Sequence, residues 1–115
     1  MVSLKRIYTL NSASAKRGEI HLIDKLSKMQ EGEGTVLDNS CIMFVSEHWN
    51  AHNGTRVPLV LAGGLGGALK TGRTLDYLNA GNDKRKLCSL YLSLMDKMGL
   101  KLSEFGDAKA HLAGI

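Results

Sequence analysis

A chain of 115 residues is one domain at most, and at that length roughly two thirds of the unfolded chain's surface is buried on folding. Its 43% hydrophobic and 23% charged residues argue against wholesale disorder. The net charge of +4, from 15 Lys and Arg against 11 Asp and Glu, is scattered along the chain, and only 5% of residues are aromatic. Nucleic-acid modules gather their basic side chains on one face among stacking aromatics, so the charge reads as solvated surface that attracts anionic substrates.

No apolar run approaches the ~20 residues of a membrane helix. Lys5-Arg6 is followed only by Ile7-Tyr8-Thr9-Leu10 before polar Asn11-Ser12, too short for a secretory signal. The chain as written is expected to be soluble and not exported.

From Leu4 to Met29 the apolar spacing is helical but interrupted. Leu4, Ile7 and Tyr8 share one face, and Leu22, Ile23, Leu26 and Met29 share another, which predicts a helix from about Arg17 to Met29 and a weaker one before it. His21, beside the second stripe, reads as an ordinary partly exposed histidine. Glu31-Gly32-Glu33-Gly34 ends the helix with two glycines that tolerate positive φ. Cys41-Ile42-Met43-Phe44-Val45 is continuous rather than alternating, which predicts a strand covered on both faces. Val57-Pro58-Leu59-Val60-Leu61-Ala62 predicts a second strand, with Pro58 tolerable near its start.

Between these runs lies the polar segment Ser46-Glu47-His48-Trp49-Asn50-Ala51-His52-Asn53-Gly54-Thr55-Arg56, long for a hairpin and therefore a candidate functional loop. Glu47, His48 and His52 offer one carboxylate and two imidazoles, ligand types suited to zinc or a similar divalent metal, if the loop folds back on itself. Three protein ligands would leave a position for water or an ester oxygen. A surface loop with two histidines that binds nothing is the bland alternative, and Trp49 reads as packing.

Gly63-Gly64-Leu65-Gly66-Gly67 follows the second strand as a dinucleotide loop would. Leu69 stands at the third glycine position, Gly72 interrupts any following helix, and the acidic residue expected on a second strand about 20 residues on is missing. The glycines are expected instead to permit a tight turn. Ala68–Tyr77 can hold one or two short strands, and Asn79-Ala80-Gly81-Asn82 is a turn. Leu87, Leu90, Tyr91, Leu94 and Met98 mark a helix with Asp83 as its cap and Gly99-Leu100 as a stop of Schellman type. Ser103–Asp107 predicts a short ordered turn anchored by Phe105, with His111 exposed. Cys41 and Cys88 lack the spacing of a redox or zinc motif. Buried free thiols are expected, with a disulfide as the alternative.

The segment Leu37–His48, Leu-Asp-Asn-Ser-Cys-Ile-Met-Phe-Val-Ser-Glu-His, resembles the strand and Ser-Asp-His segment of the alkaline phosphatase and sulfatase superfamily. His52-Asn53-Gly54-Thr55-Arg56-Val57-Pro58 resembles its later His-x-Gly-x-x-Val-Pro segment. From Leu26 onward the chain is similar to the end of the HXXSHH-motif family of uncharacterised bacterial proteins. The similarity runs through E-G-x-G-T-x-L-D-N-S, P-L-V-L-A-G-G, G-G-A-L-K-T-G-R, L-Y-L-x-L-x-x-K-M-G and S-x-F-G-D. This resemblance implies an α/β fold over residues 1–115 that is the C-terminal part of an alkaline-phosphatase-like sheet with flanking helices, from an exported bacterial parent. It carries over His48 and His52 as metal ligands, and Glu47 where the superfamily has aspartate. The superfamily's nucleophile and first metal carboxylate have no counterpart here, and neither does the HXXSHH motif.

Two functions follow as expectations. The first is the metal-binding segment of a phosphate or sulfate ester hydrolase, with Arg56 or Lys70 steadying an anionic substrate and no catalytic nucleophile of its own. The second is a noncatalytic assembly module whose uncovered strand edges and helix faces pair with a second copy or with the missing N-terminal half.

Overall fold

Ser3–Leu10 is a strand, where the helical spacing of Leu4, Ile7 and Tyr8 suggests a helix. In the computed structural model, which describes residues 3–15, 20–45 and 56–115, β1 runs over Ser3–Leu10. Leu4 and Ile7 are both fully buried. Residues three apart face opposite sides of a strand, so both faces of β1 are covered somewhere along its length. That double cover removes the alternation by which a strand is recognised, while the Ile7-Tyr8-Thr9 run has the branched and aromatic side chains that strands favour.

Asn11 then caps the short helix α1, Ser12–Ala15, its Oδ1 accepting from the Ala13 and Ser14 N–H groups at 3.0 and 3.3 Å. Helix α2 spans His21–Lys28, inside the predicted helix. Of the predicted stripe only Ile23 is fully buried; Leu22 and Met29 are exposed. A two-residue hairpin follows, β2 (Gln30–Glu31) and β3 (Gly34–Thr35), pairing Gln30 with Thr35 and Glu31 with Gly34.

β4 (Ile42–Val45) lies within the first predicted strand, and β5 (Arg56–Ala62) extends the second by Arg56, which the sequence assigned to the loop; the two strands differ in environment. Val57, Leu59, Leu61 and Ala62 on β5 are buried. On β4, Phe44 is 36% and Val45 45% exposed, which corrects the expectation of a strand covered on both faces. The strand order β4-β5-β1-β6, with β6 at Thr74–Asp76, puts β4 at an edge of the mixed sheet, where a continuous apolar run need not be enclosed.

β6 is antiparallel to β1: the Tyr77 N–H donates to the Lys5 carbonyl at 3.1 Å and the Thr9 N–H to the Arg73 carbonyl at 2.9 Å. The Gly63 N–H, just past β5, donates to the Leu10 carbonyl at 3.1 Å, so β5 and β1 end at the same edge, the parallel arrangement.

A 3-10 turn at Asn82–Lys84 leads into helix α3, Leu87–Lys97. Asp83 does not cap α3 as expected. Lys86 holds the N-cap position, without a side-chain cap bond, and Asp83 pairs with its ammonium at 3.2 Å. The C-terminal stop is as the sequence suggests: Gly99 has φ +91, its N–H donates to Asp96 O at 3.0 Å, and the Leu100 N–H donates to Met95 O at 2.9 Å, the two bonds of a Schellman motif. Phe105 bridges to Ala108 and sets its ring edge-on to Tyr91, centroids 6.2 Å apart.

The described residues within Met1–Arg6, Val45–Leu59 and Leu75–Ile115 form one compact unit, and those within Ile7–Phe44 and Val60–Thr74 a second. In the first, Leu4, Val57, Leu59, Leu90, Leu92 and Leu112 are buried. The tail is fastened to α3 there, with the Leu112 N–H donating to Ser93 Oγ at 2.8 Å, whose hydroxyl donates to Ser89 O at 3.0 Å. In the second, Ile23, Leu37 and Ala62 form a core joined by Leu10, Ile20, Leu26 and Ile42.

Candidate functional site

The three candidate metal ligands, Glu47, His48 and His52, lie outside the described residues, as does Trp49. What the structure describes is where their segment is tied. It leaves β4 at Val45 and enters β5 at Arg56, two strands adjacent in the sheet. Among the described residues no group of three or more His, Cys, Asp and Glu side chains could hold a metal ion. His21, at the start of α2, is exposed, and His111, also exposed, has its Nε2 4.0 Å from Asp96 Oδ1.

The two candidate substrate-binding cations stand in different units. Arg56 is the exposed first residue of β5. Lys70 is exposed after the glycine loop, and its carbonyl accepts from Arg73 Nε at 3.1 Å. Both cysteines are free thiols. Burial pushes the Cys41 thiol above its ordinary pKa, which lowers the thiolate fraction that a nucleophile needs.

The glycine loop is committed to structure. The N–H groups of Gly64, Leu65 and Gly66 donate to the carbonyls of Leu37, Ser40 and Asp38 at 3.2, 3.0 and 3.0 Å, and those of Gly67, Ala68 and Leu69 donate within the loop. A phosphate cradle needs such donors unspent, so the loop cannot serve as one. Its acceptors are held in turn by reciprocal bonds from the Thr35 N–H to Asp38 Oδ2 at 2.9 Å and from the Asp38 N–H to Thr35 Oγ1 at 3.2 Å. The tight turn expected from the glycines is therefore a docking site for the Val36–Ser40 turn.

The sequence offered no hint of a cleft in the second unit, about 530 Å³, lined by the end of β1 and the start of β6 with residues of α1. Its walls include Tyr8, Asn11, Ala13, Arg73 and Thr74. The Thr9 hydroxyl fixes the junction by donating to Arg73 O at 2.7 Å and accepting from the Arg73 N–H at 2.8 Å. These residues are more than sixty positions apart in the chain, and strand pairing, which no local pattern encodes, brings them together.

Compared with protein-family models, with curated proteins and with solved structures, the chain finds no match in any of the three.

Proposed function

We propose that this chain is the metal-binding C-terminal part of an alkaline-phosphatase-like hydrolase of phosphate or sulfate esters, inactive by itself. The observation that carries the reading is the tether of residues 46–55 between neighbouring strands, one of them buried along most of its length. Side chains hung from a fixed strand end lose less entropy on gathering round a ligand than those on a free loop. The donor set of Glu47, His48 and His52 suits zinc. When bound, such an ion lowers the pKa of its water or polarises an ester oxygen.

The chain's own residues contribute binding. Arg56, exposed at the first position of β5 and in the same unit as residues 46–55, supplies a guanidinium for an anionic ester oxygen. Cys41, whose thiol is pushed up by burial, is poorly suited to be a nucleophile, and in this reading the nucleophile comes from a second part. Zinc titration of the chain against a His48→Ala, His52→Ala double variant tests the ligand assignment. The expected result is at least a tenfold loss of affinity in the variant; equal affinity rejects the assignment.

The second reading, a noncatalytic assembly module, is favoured by one feature. β4 is an edge strand with Phe44 and Val45 exposed, and such an edge is a template for pairing with another strand.

A further inference from the structure

We propose that the segment after α3 is a self-complementary surface, formed by exposed Met98, Leu100, Leu102 and Phe105, through which two copies of this chain associate weakly. The four residues fall within a stretch of eight and are between 39% and 62% exposed. Apolar side chains scattered singly over a surface call for no explanation, but a run of them marks a place where something docks.

The backbone that carries them is fixed at both ends. At the start, the N–H groups of Gly99 and Leu100 are spent on the carbonyls of Asp96 and Met95. Further on, Phe105 and Ala108 exchange N–H bonds to each other's carbonyl, both at 2.9 Å, and the Lys86 ammonium donates to the Asp107 carbonyl at 2.9 Å. Gly106 lies so close on α3 that a Cβ there would come 2.6 Å from Cys88 Sγ. The apolar side chains are thus held out by a backbone that is already ordered, and covering them costs little further entropy.

Area and charge decide what covers them. At those exposures the four residues show roughly 350 Å² of mainly apolar surface, under half of the ~800 Å² that each partner of a standard interface buries. That suits a concentration-dependent pair, not an obligate dimer. Lys101, its side chain 70% exposed and 2.7 Å from Asp96 Oδ1, stands next to Leu100, and exposed Glu104 stands next to Phe105. The pairs Leu100 with Phe105 and Lys101 with Glu104 are both centred between Leu102 and Ser103. One two-fold axis there sets Leu100 and Lys101 of one copy against Phe105 and Glu104 of the other, and both contacts recur by symmetry. The apolar pair supplies attraction, and the exposed ion pair orients it. An anionic lipid surface would instead bring Glu104 and Asp107 against like charge.

The surface uses no residue of the Glu47, His48 and His52 loop or of β4, so its test separates it from both earlier readings. Sedimentation equilibrium of the full chain in EDTA, from about 10 µM to 1 mM, is expected to show a dimer with a dissociation constant on the order of 100 µM, which dilution on a sizing column dissociates. Met98→Gln with Leu102→Gln is expected to weaken it at least fivefold, whereas Leu22→Gln, which removes a comparably exposed side chain of α2, and Val45→Lys on β4 should change it less than twofold. Lys101→Glu and Glu104→Lys should each weaken it at least threefold, and an equimolar mixture of the two should restore it; this mixture decides the matter if the double glutamine variant fails to fold. A monomer at every concentration overturns the proposal, and one that pellets with phosphatidylglycerol vesicles assigns the patch to a lipid surface. An equal loss in Leu22→Gln reduces the association to general stickiness, a loss in Val45→Lys moves it to β4, and a mixture that restores nothing overturns the two-fold pairing.

Discussion

At the scale of single residues, the positions that matter most are those whose neighbours leave no room for change. Gly63 has φ +100, and a methyl group there would overlap the Ser40 carbonyl oxygen and lie 2.7 Å from that of Leu37. Gly63→Ala is expected to destabilise the protein by about 2–4 kcal/mol, whereas Gly81→Ala, with φ −60 and open space around it, should cost under about 0.5 kcal/mol. Urea denaturation of the two variants checks this, and similar midpoints would contradict it. Arg85 is equally constrained: buried at 4% exposure, its guanidinium donates to the carbonyls of Tyr77 and Leu78 and to Asn82 Oδ1 at 3.2, 3.0 and 2.8 Å. Two carboxylates among the described residues, exposed Asp76 and half-buried Asp96, contribute stability that is sensitive to acid. The Leu78 N–H, then the Arg6 guanidinium, hold Asp76 below its ordinary pKa of 3.8, and the Lys101 ammonium does the same for Asp96. A lowered folded-state pKa gives stability that is present above about 3.8 and is lost as the pH falls through the lower folded values. Melting temperature should therefore fall more steeply below about pH 4 in wild type than in an Asp76→Asn, Asp96→Asn variant; identical acid limbs would rule this out.

At the scale of elements, α3 is the part whose beginning and end obey different rules. Its C-terminus is specified locally, by one glycine and the apolar residue after it, and Gly99 has nothing within 4 Å of the place a Cβ would take. Gly99→Ala should then cost only the left-handed backbone, about 1 kcal/mol, and Gly99→Asn less. Thermal melts of the pair check this, with a cost above about 3 kcal/mol pointing to a packing role that the open surroundings do not contain. The start of α3 was not legible in this way. Asp83 has the right chemistry for a cap, yet the Asn82–Lys84 turn places it before the helix, where it meets Lys86 instead. β1 shows the same limit in reverse. Leu4, Ile7 and Tyr8 fit a helical face by spacing, but hydrogen bonding on both sides, to β5 and β6, outweighs an intrinsic preference worth at most about 1 kcal/mol per residue.

For the molecule as a whole, the open question is what meets the sheet at β4. Sizing chromatography with EDTA separates the two functional readings. A metal-independent dimer that Val45→Lys converts to monomer is expected if the edge assembles with a second copy; a monomer in both is expected if the chain serves as the metal-binding part of a larger hydrolase. The amino-acid sequence alone determined the α/β class, β5, the turn that ends α3, the structural use of the glycine loop and the ligand types offered by Glu47, His48 and His52, because each depends on neighbours within a few residues or on side-chain chemistry itself. Only the tertiary structure decided that Ser3–Leu10 is a strand, that β4 is an edge, and that Arg73, Asn11 and Tyr8 share a cleft. Those facts follow from which strands pair, and pairing is settled by burial and backbone hydrogen bonds between segments distant in the chain.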